Sequence, residues 1–207
     1  MLIFYIFNIP FYFHVSAESS WLGDRISWFF NTRRLLAIDV LEIEEKSRLL
    51  FYGPNGIGKT TFAKTLAGLL KPLGGWLERR FGSEDVFLVP ETNDLPPTLR
   101  PMQFIKAVCD LYGARCGSVD LSAFGVPDVK IGHLSQGQRR RIYFALAVAL
   151  DRRLTIFDDP LVHVDEGGVA LFADVLKALG GAVVVFVRPE HVDLIEAEVK
   201  VDLRRYV

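Results

Sequence analysis

A glycine-rich segment at residues 49–61, LLFYGPNGIGKTT, constrains the fold of this chain more than any other feature. An apolar run leads into Gly53, and four residues further on come Gly58, Lys59 and Thr60. In this phosphate-loop pattern, glycines let backbone N–H groups curl around phosphate oxygens, the lysine reaches the β- and γ-phosphates, and the hydroxyl faces magnesium. The sequence therefore predicts a buried strand, a phosphate-binding loop and a helix whose N-terminus points at the anion.

A second segment carries paired carboxylates at the end of a predicted strand. Residues 154–157, LTIF, form a short apolar run that ends in Asp158 and Asp159. Asp158 is expected to hold magnesium, directly or through water, and Asp159 is placed where a second carboxylate could orient the attacking water. Aspartates are common in the turns after strands. The two aspartates therefore indicate a magnesium site only in combination with the phosphate loop that precedes them.

Between the two segments lies LSQGQ, residues 134–138, followed by the arginines of residues 139–141 and an apolar stretch, Ile142 to Leu150. Ser135 is predicted to be a helix N-cap, and the free amides of the first helical turn suit a phosphate. A capped helix start with a solvated arginine cluster explains these residues equally well. The residues alone leave both interpretations open.

Composition limits the other classes of function. The chain has 207 residues, a formal net charge of −1 and half of its residues apolar, so it can bury a sizeable core and has no overall basic excess for nucleic acid. Cys109 and Cys116 show no CxxC pattern and no nearby histidine cluster. The sequence therefore predicts neither a disulfide framework nor a zinc site, and it favours a reducing cytosol.

Residues 1–15, MLIFYIFNIPFYFHV, are strongly apolar but shorter than the roughly 20 residues needed to cross a bilayer. No basic residue precedes the apolar run, so it does not have the pattern of a signal peptide. Three interpretations stay open: a strand buried against the core, an aromatic anchor at a membrane surface, or sequence upstream of the true start. The strand is favoured because aromatic-rich runs between turn-formers are typical of sheets.

In their order and spacing, GPNGIGKTT, LSQGQ and TIFDDP resemble the nucleotide-binding domain of an ATP-binding-cassette (ABC) transporter, from about residue 25 to the C-terminus. The compactness of the chain is similar to that of exporter-type members. The resemblance implies an α/β fold: a P-loop ABC-type ATPase core with an antiparallel N-terminal sheet and an inserted helical subdomain. It implies one domain, with residues 1–90 and 134–207 as the nucleotide-binding core and 91–133 as the helical subdomain.

The resemblance also implies ATP and Mg²⁺ as cofactors and assigns roles residue by residue. It places Asp165 in a loop that communicates between two nucleotide sites, and Phe30 on the adenine ring, where core packing is the alternative role. The implied magnesium ligands are Thr60, Asp158 and Glu91. The implied nucleotide contacts are Gly53, Pro54, Asn55, Gly56, Gly58, Lys59, Thr60, Thr61, Phe30, Ser135, Gly137 and Gln138.

The catalytic positions implied by the resemblance are Asp159, Arg188 and Glu91, and each departs from the usual pattern of the family. Glu91 stands in place of a glutamine, Asp159 in place of a glutamate, and Arg188 in place of a histidine. Arginine cannot exchange protons at neutral pH, although its fixed charge can bind a γ-phosphate. His191 would be a substitute for the missing histidine only if the loop is rearranged. We therefore expect good ATP binding and slow hydrolysis.

The resemblance implies a head-to-tail dimer in which Ser135 and Gly137 of one domain contact the γ-phosphate held by Lys59 of the other. The second domain is either an identical copy or, in an asymmetric heterodimer, a relative with the usual catalytic residues. The dimer would drive a separate integral membrane permease from the cytoplasmic face of the cell membrane, without nucleic acid. Two alternatives stay open: a soluble ATPase of non-transport function, such as iron–sulfur assembly, and an ATP-gated binding module without significant turnover.

Overall fold

The computed structural model describes residues 12–16, 26–30, 33–38, 41–72, 76–79, 81–114, 116 and 119–206. The strands are β1 Tyr12–Ser16, β2 Ile26–Phe30, β3 Arg33–Ile38, β4 Leu41–Glu44, β5 Arg48–Tyr52, β6 Trp76–Arg79, β7 Val86–Val89, β8 Leu154–Asp158, β9 Ala182–Val187 and β10 Val199–Asp202. The α-helices are α1 Lys59–Leu66, α2 Pro101–Leu111, α3 Gln136–Leu150 and α4 Glu166–Ala178. Within these ranges no helix is long and apolar enough to cross a membrane.

Five parallel strands form the central sheet in the order β10, β5, β9, β8, β7. Every residue of β8 and β9 is buried, as a parallel sheet covered on both faces requires. Because the strands are parallel, the segments that follow β5, β7, β8 and β9 leave the sheet at the same edge. They begin with Gly53, Pro90, Asp159 and Arg188. This sheet confirms the predicted α/β class with a mainly parallel core.

Two apolar cores cover the two faces of the sheet. Phe62 of α1 packs on one face against Phe51, with ring centroids 5.1 Å apart. On the other face, Phe172 of α4 packs against Phe157 with centroids 5.0 Å apart, and α3 belongs to the same core. Adjacent strand residues alternate between the cores, because successive side chains of a strand point to opposite faces.

Antiparallel strands flank this sheet. β1 pairs with β4 and β6, and β2 pairs with β3. β1, which spans Tyr12–Ser16, overlaps the end of the apolar segment 1–15, for which a buried strand stays a prediction. Residues 1–11 lie outside the described part of the chain.

Helix α1 is shorter than its apolar spacing predicts. Phe62, Leu66, Leu69 and Leu70 recur at helical spacing, but the helix ends at Leu66. Gly68 then adopts φ 79°, a left-handed conformation that ends a helix. Leu69 and Leu70 are consequently exposed rather than part of the core.

The segment between β7 and α3 holds α2 and corrects the prediction about the cysteines. Cys109 and Cys116 form a disulfide, with their Cα atoms 5.8 Å apart. Gly113 follows α2 with φ 61°, and this left-handed residue turns the chain back toward the helix. The prediction that no disulfide forms was wrong because residue spacing does not reveal this reversal.

Gly181, just before β9, provides a test of the packing at the amino edge of the sheet. A Cβ there would lie against the carbonyl oxygen of Arg152 and 2.7 Å from that of Arg153. We expect Gly181→Ala to lower the free energy of unfolding by about 1–3 kcal/mol, because backbone atoms must move. Chemical denaturation measures the change.

Gly167 in α4 is the matched control, since the nearest atom to a Cβ there is 3.9 Å away. Gly167→Ala should stabilise the protein by roughly 0.5–1 kcal/mol, because alanine loses less backbone entropy in a helix. Equal effects of the two substitutions would contradict the packing argument.

Candidate nucleotide-binding site

The phosphate loop, residues 53–60, joins β5 to α1 with a backbone that favours glycine. Gly56 has φ 80° and Gly58 has φ 115°, both in the left-handed region. Gly58 is the N-cap of α1, and no side chain caps the helix. The first-turn N–H groups of α1 are therefore left to bind an anion, and no acidic residue of the first turn opposes it.

Lys59 is folded back over this loop. Its Nζ donates to the carbonyl oxygens of Gly53, at 3.0 Å, and Pro54, at 3.3 Å. The same nitrogen lies 3.9 Å from Oδ2 of Asp159, and the side chain is only 7% exposed. The Lys59 ammonium group therefore lies at the phosphate loop, beside the carboxylate of Asp159.

A cleft of about 490 Å³ opens beside Lys59. Two loops besides the phosphate loop contribute to it, through Glu91 after β7 and Asp159 after β8. Its lining residues are Asn55, Gly56, Gly58, Lys59, Thr60, Thr61, Glu91 and Asp159. The cleft thus brings together most of the phosphate-loop residues that the sequence predicts and two of the three predicted catalytic residues.

Asp158 ends β8 beneath the cleft with its side chain almost fully buried. Thr60 donates a side-chain hydrogen bond to its carboxylate, but Oδ1 has no partner within the described residues. Burial raises the pKa of Asp158, and the negative charges of Glu91 and Asp159 raise it further. An unpartnered buried oxygen beside a hydroxyl suits a divalent cation that would stabilise the charged form.

In the described ranges, no group of three or more His, Cys, Asp or Glu side chains is placed to hold a metal by itself. Thr60, Asp158 and Glu91 supply one hydroxyl and two carboxylates at the cleft. Mg²⁺ commonly takes one or two carboxylates and completes its octahedron with water and substrate phosphates. The residues present therefore fit magnesium that arrives with a nucleotide.

Asp159 is paired with two cations at this edge. Nε of Arg188 lies 3.3 Å from its Oδ2, the same oxygen that Lys59 approaches. Nη2 of Arg188 also lies 3.9 Å from Oε1 of Glu91. All three predicted catalytic residues therefore meet, with Arg188 as the bridge between the two carboxylates.

The signature segment, residues 134–138, begins α3. Oγ of Ser135 accepts a hydrogen bond from the backbone N–H of Gln138 at 3.2 Å, and Oε1 of Gln138 accepts from the Ser135 N–H at 3.0 Å. The reciprocal bonds confirm Ser135 as the N-cap, and among the described residues its hydroxyl donates no hydrogen bond. Within the described part of the chain, the cleft lining includes no residue of this segment.

Asp165 is the N-cap of α4 and contacts α3. Its Oδ1 accepts from the N–H of Gly168 at 2.8 Å and from Nη2 of Arg141 at 2.9 Å. The hydrogen bond from Gly168 and the one from Arg141 lower the pKa of Asp165. The segment after the paired aspartates is thereby attached to the helix that carries the signature segment.

The arginine cluster of residues 139–141 is not uniformly solvated. Arg141 pairs with Asp165, and Arg140 is fully buried, with 0% of its surface exposed. Sequence reasoning missed this functional candidate, although Arg140, Phe144 and Ala147 share one face at helical spacing and are all buried. Residues 142–147 are all buried as well, so helical spacing alone does not single out Arg140.

Two further residues that the sequence analysis names are Phe30 and His191. Phe30 is the last residue of β2, and its side chain lies outside the described part of the structure, so its predicted contact with adenine stays a prediction. His191 lies in the 3₁₀ turn Pro189–Leu194 and is absent from the cleft lining. Arg188 occupies the position beside the carboxylates instead.

Known proteins with similar sequences belong to a family whose members bind ATP, as the geometry of this cleft suggests. Residues 38–162 match the family model for ABC transporters. The cytochrome c biogenesis ATP-binding export protein CcmA of Ruegeria pomeroyi is 36% identical over 159 residues, which cover 73% of this chain and 75% of that protein. The zinc import ATP-binding protein ZnuC of Rhizobium johnstonii is 32% identical over 165 residues, covering 75% of this chain and 54% of that protein.

Solved structures show the same likeness. A protein from Pyrococcus furiosus assigned as an ABC transporter (ATP-binding protein) superimposes with a TM-score of 0.80 at 28% identity. The superposition covers 94% of this chain and 98% of that one. Family match, relatives and fold therefore agree that this chain belongs to the ABC transporter family, as an ATP-binding subunit with ATP-hydrolysing activity.

Proposed function

We propose that this chain binds MgATP in the cleft at the carboxyl edge of its sheet and hydrolyses it slowly. The main support for this proposal is the position of Asp159. This residue is expected to orient the attacking water, and it forms ion pairs with both Lys59 and Arg188. To orient the attacking water, this carboxylate would have to leave its two ion pairs, which adds to the cost of the chemical step. Binding should therefore be efficient while the chemical step is slow.

The phosphates would bind to the backbone amides of the phosphate loop and to Nζ of Lys59. Thr60, Asp158 and Glu91 would hold magnesium, which neutralises charge on the phosphates when bound. Asp159 would orient the attacking water, and the fixed charge of Arg188 would stabilise the γ-phosphate in place of a histidine. Because Glu91 is a carboxylate rather than an amide, it adds negative charge that Arg188 partly offsets.

A second domain would complete the site. Oγ of Ser135 keeps a proton to donate, and the signature segment lies outside the cleft of its own chain. These two observations support a head-to-tail dimer in which Ser135, Gly137 and Gln138 close the cleft of a partner. Since the signature segment is intact and the catalytic positions are altered, the proposed partner is a relative with the usual catalytic residues, in an asymmetric heterodimer.

The dimer would act on a separate integral membrane permease, from the inner face of the cell membrane. In this proposal residues 91–133, which contain α2, form the helical subdomain that docks on the permease. The antiparallel strands β1 to β4 and β6 form the N-terminal sheet region of the ATPase core. The relatives act in cytochrome c biogenesis and zinc import, so the permease rather than this chain would select the substrate.

Lys59→Ala tests nucleotide binding. The variant should weaken retention of radiolabelled ATP in equilibrium dialysis on the order of 100-fold, because a buried phosphate charge loses its counter-charge. Lys64→Ala is the control, since Lys64 lies on the same helix but is exposed. Unchanged retention by Lys59→Ala, or equal loss in both variants, would show that the phosphate loop does not bind ATP.

Asp158→Asn tests the magnesium site through stability. The pKa of Asp158 is raised in the folded protein, so the native state binds a proton more readily than the unfolded state. The charged form therefore destabilises the fold at neutral pH, and this cost disappears as the pH falls toward the unfolded pKa. Without nucleotide, Asp158→Asn should raise the thermal unfolding midpoint at neutral pH, and the gain should shrink on acidification.

The same substitution should abolish the effect of magnesium on ATP binding. Asp174→Asn, at an exposed carboxylate on α4, should change neither quantity. A fall in the unfolding midpoint of nucleotide-free Asp158→Asn at neutral pH would contradict the assignment.

Turnover by the purified chain tests the slow chemical step. We expect well under ten ATP per second, at the low end of ordinary enzyme rates. Asp159→Glu should raise the rate on the order of tenfold, because the longer side chain moves the carboxylate about an ångström toward the water. A homodimer of the unaltered chain that hydrolyses tens of ATP per second would refute the proposal.

A further inference from the structure

The strongest feature outside the cleft is the buried cation of α3. Arg140 is the largest fully buried side chain in the described part of the protein. Its Nη1 donates to the carbonyl oxygen of Pro90 at 2.6 Å, and its Nη2 donates to the carbonyl oxygen of Glu91. One guanidinium group therefore forms hydrogen bonds with two successive carbonyls of the segment that places Glu91 at the cleft.

We call residues 90–94 the Glu91 loop. β7 ends at Val89, so the strand ladder no longer fixes this backbone. Asn93 provides a second attachment, because its Nδ2 lies 3.4 Å from both the carbonyl oxygen and Oε1 of Gln136. The loop is therefore attached to α3 at two points, and one of them is in the signature segment.

Burial of an arginine needs compensation. Burial lowers the pKa of Arg140, while Tyr143 and the carboxylates of Asp159, Asp158 and Glu91 act in the opposite direction. A guanidinium stays charged even with a lowered pKa, so a fixed positive charge lies behind the acidic side of the cleft. Its forked donors match the two carbonyls, which a single ammonium group could not do as well.

We infer that Arg140 is a positioning residue that holds the Glu91 loop against α3, so that the Glu91 carboxylate faces the magnesium position. Arg140 does not reach the cleft lining and acts through the backbone it binds. The inference rests on the proposed function, since it assigns Glu91 to magnesium.

The test compares Arg140→Gln with Arg139→Gln. Arg139 precedes Arg140 on α3 and carries the same charge, but its guanidinium donates to Gly132 instead of the Glu91 loop. The dissociation constant of a fluorescent ATP analogue is measured with Mg²⁺ and with EDTA, and hydrogen exchange of the Glu91 loop is followed without nucleotide. The ratio of the two dissociation constants measures how much magnesium contributes to nucleotide affinity.

We expect Arg140→Gln to reduce the magnesium-dependent gain in affinity on the order of tenfold, with affinity in EDTA nearly unchanged, because supporting residues of a metal site contribute at this level. Exchange at the amides of residues 91–94 should become faster. Arg139→Gln should leave the ratio and the exchange as they are in the unaltered chain.

Equal ratios and equal exchange in Arg140→Gln and Arg139→Gln would overturn the inference, and so would parallel losses of affinity with Mg²⁺ and with EDTA. If Arg140→Gln does not fold, Arg140→Lys takes its place. It keeps the charge, loses the forked pair of donors, and should show the same changes in smaller degree. If the unaltered chain shows no magnesium-dependent binding, the proposed function fails and the exchange data alone decide whether Arg140 positions the loop.

Discussion

The parallel direction of five strands is the constraint on which the site depends. Because β5, β7, β8 and β9 end at one edge, residues far apart in the sequence meet there. The edge then concentrates charge: Asp158, Asp159 and Glu91 face Lys59 and Arg188. Burial of such groups is tolerable only when they are paired, and pairing is incomplete at Asp158 and Asp159, because Oδ1 of each has no hydrogen-bond partner within the described residues.

Local chemistry explains what could be predicted from the sequence. The phosphate loop is a single continuous segment whose glycines, lysine and threonine fix their own geometry, and Gly58 and Lys59 both line the cleft. Asp159 and Arg188 were also expected at the site, but their direct ion pair was not, because it depends on the register between β8 and β9. An aspartate and an arginine 29 residues apart carry no local sign of their contact.

The failures have a common physical origin. The disulfide between Cys109 and Cys116 depends on a left-handed turn at Gly113, and the early end of α1 depends on a similar turn at Gly68. The burial of Arg140 depends on two backbone carbonyls that follow a distant strand. In each case one backbone reversal or one long-range acceptor overrides the local pattern, and composition cannot reveal it.

The proposed slow chemistry follows from competition for the same cations. Nζ of Lys59 donates to the carbonyl oxygens of Gly53 and Pro54 and lies beside the carboxylate of Asp159. A triphosphate in the cleft would compete for Lys59 and Arg188, and each cation that turns to phosphate would free the Asp159 carboxylate to orient water. Arginine holds its charge at all physiological pH values. The ion pair between Arg188 and Asp159 is therefore not broken by loss of a proton, as a pair with histidine would be. The exchange of partners, rather than protonation, would then set the rate at this site.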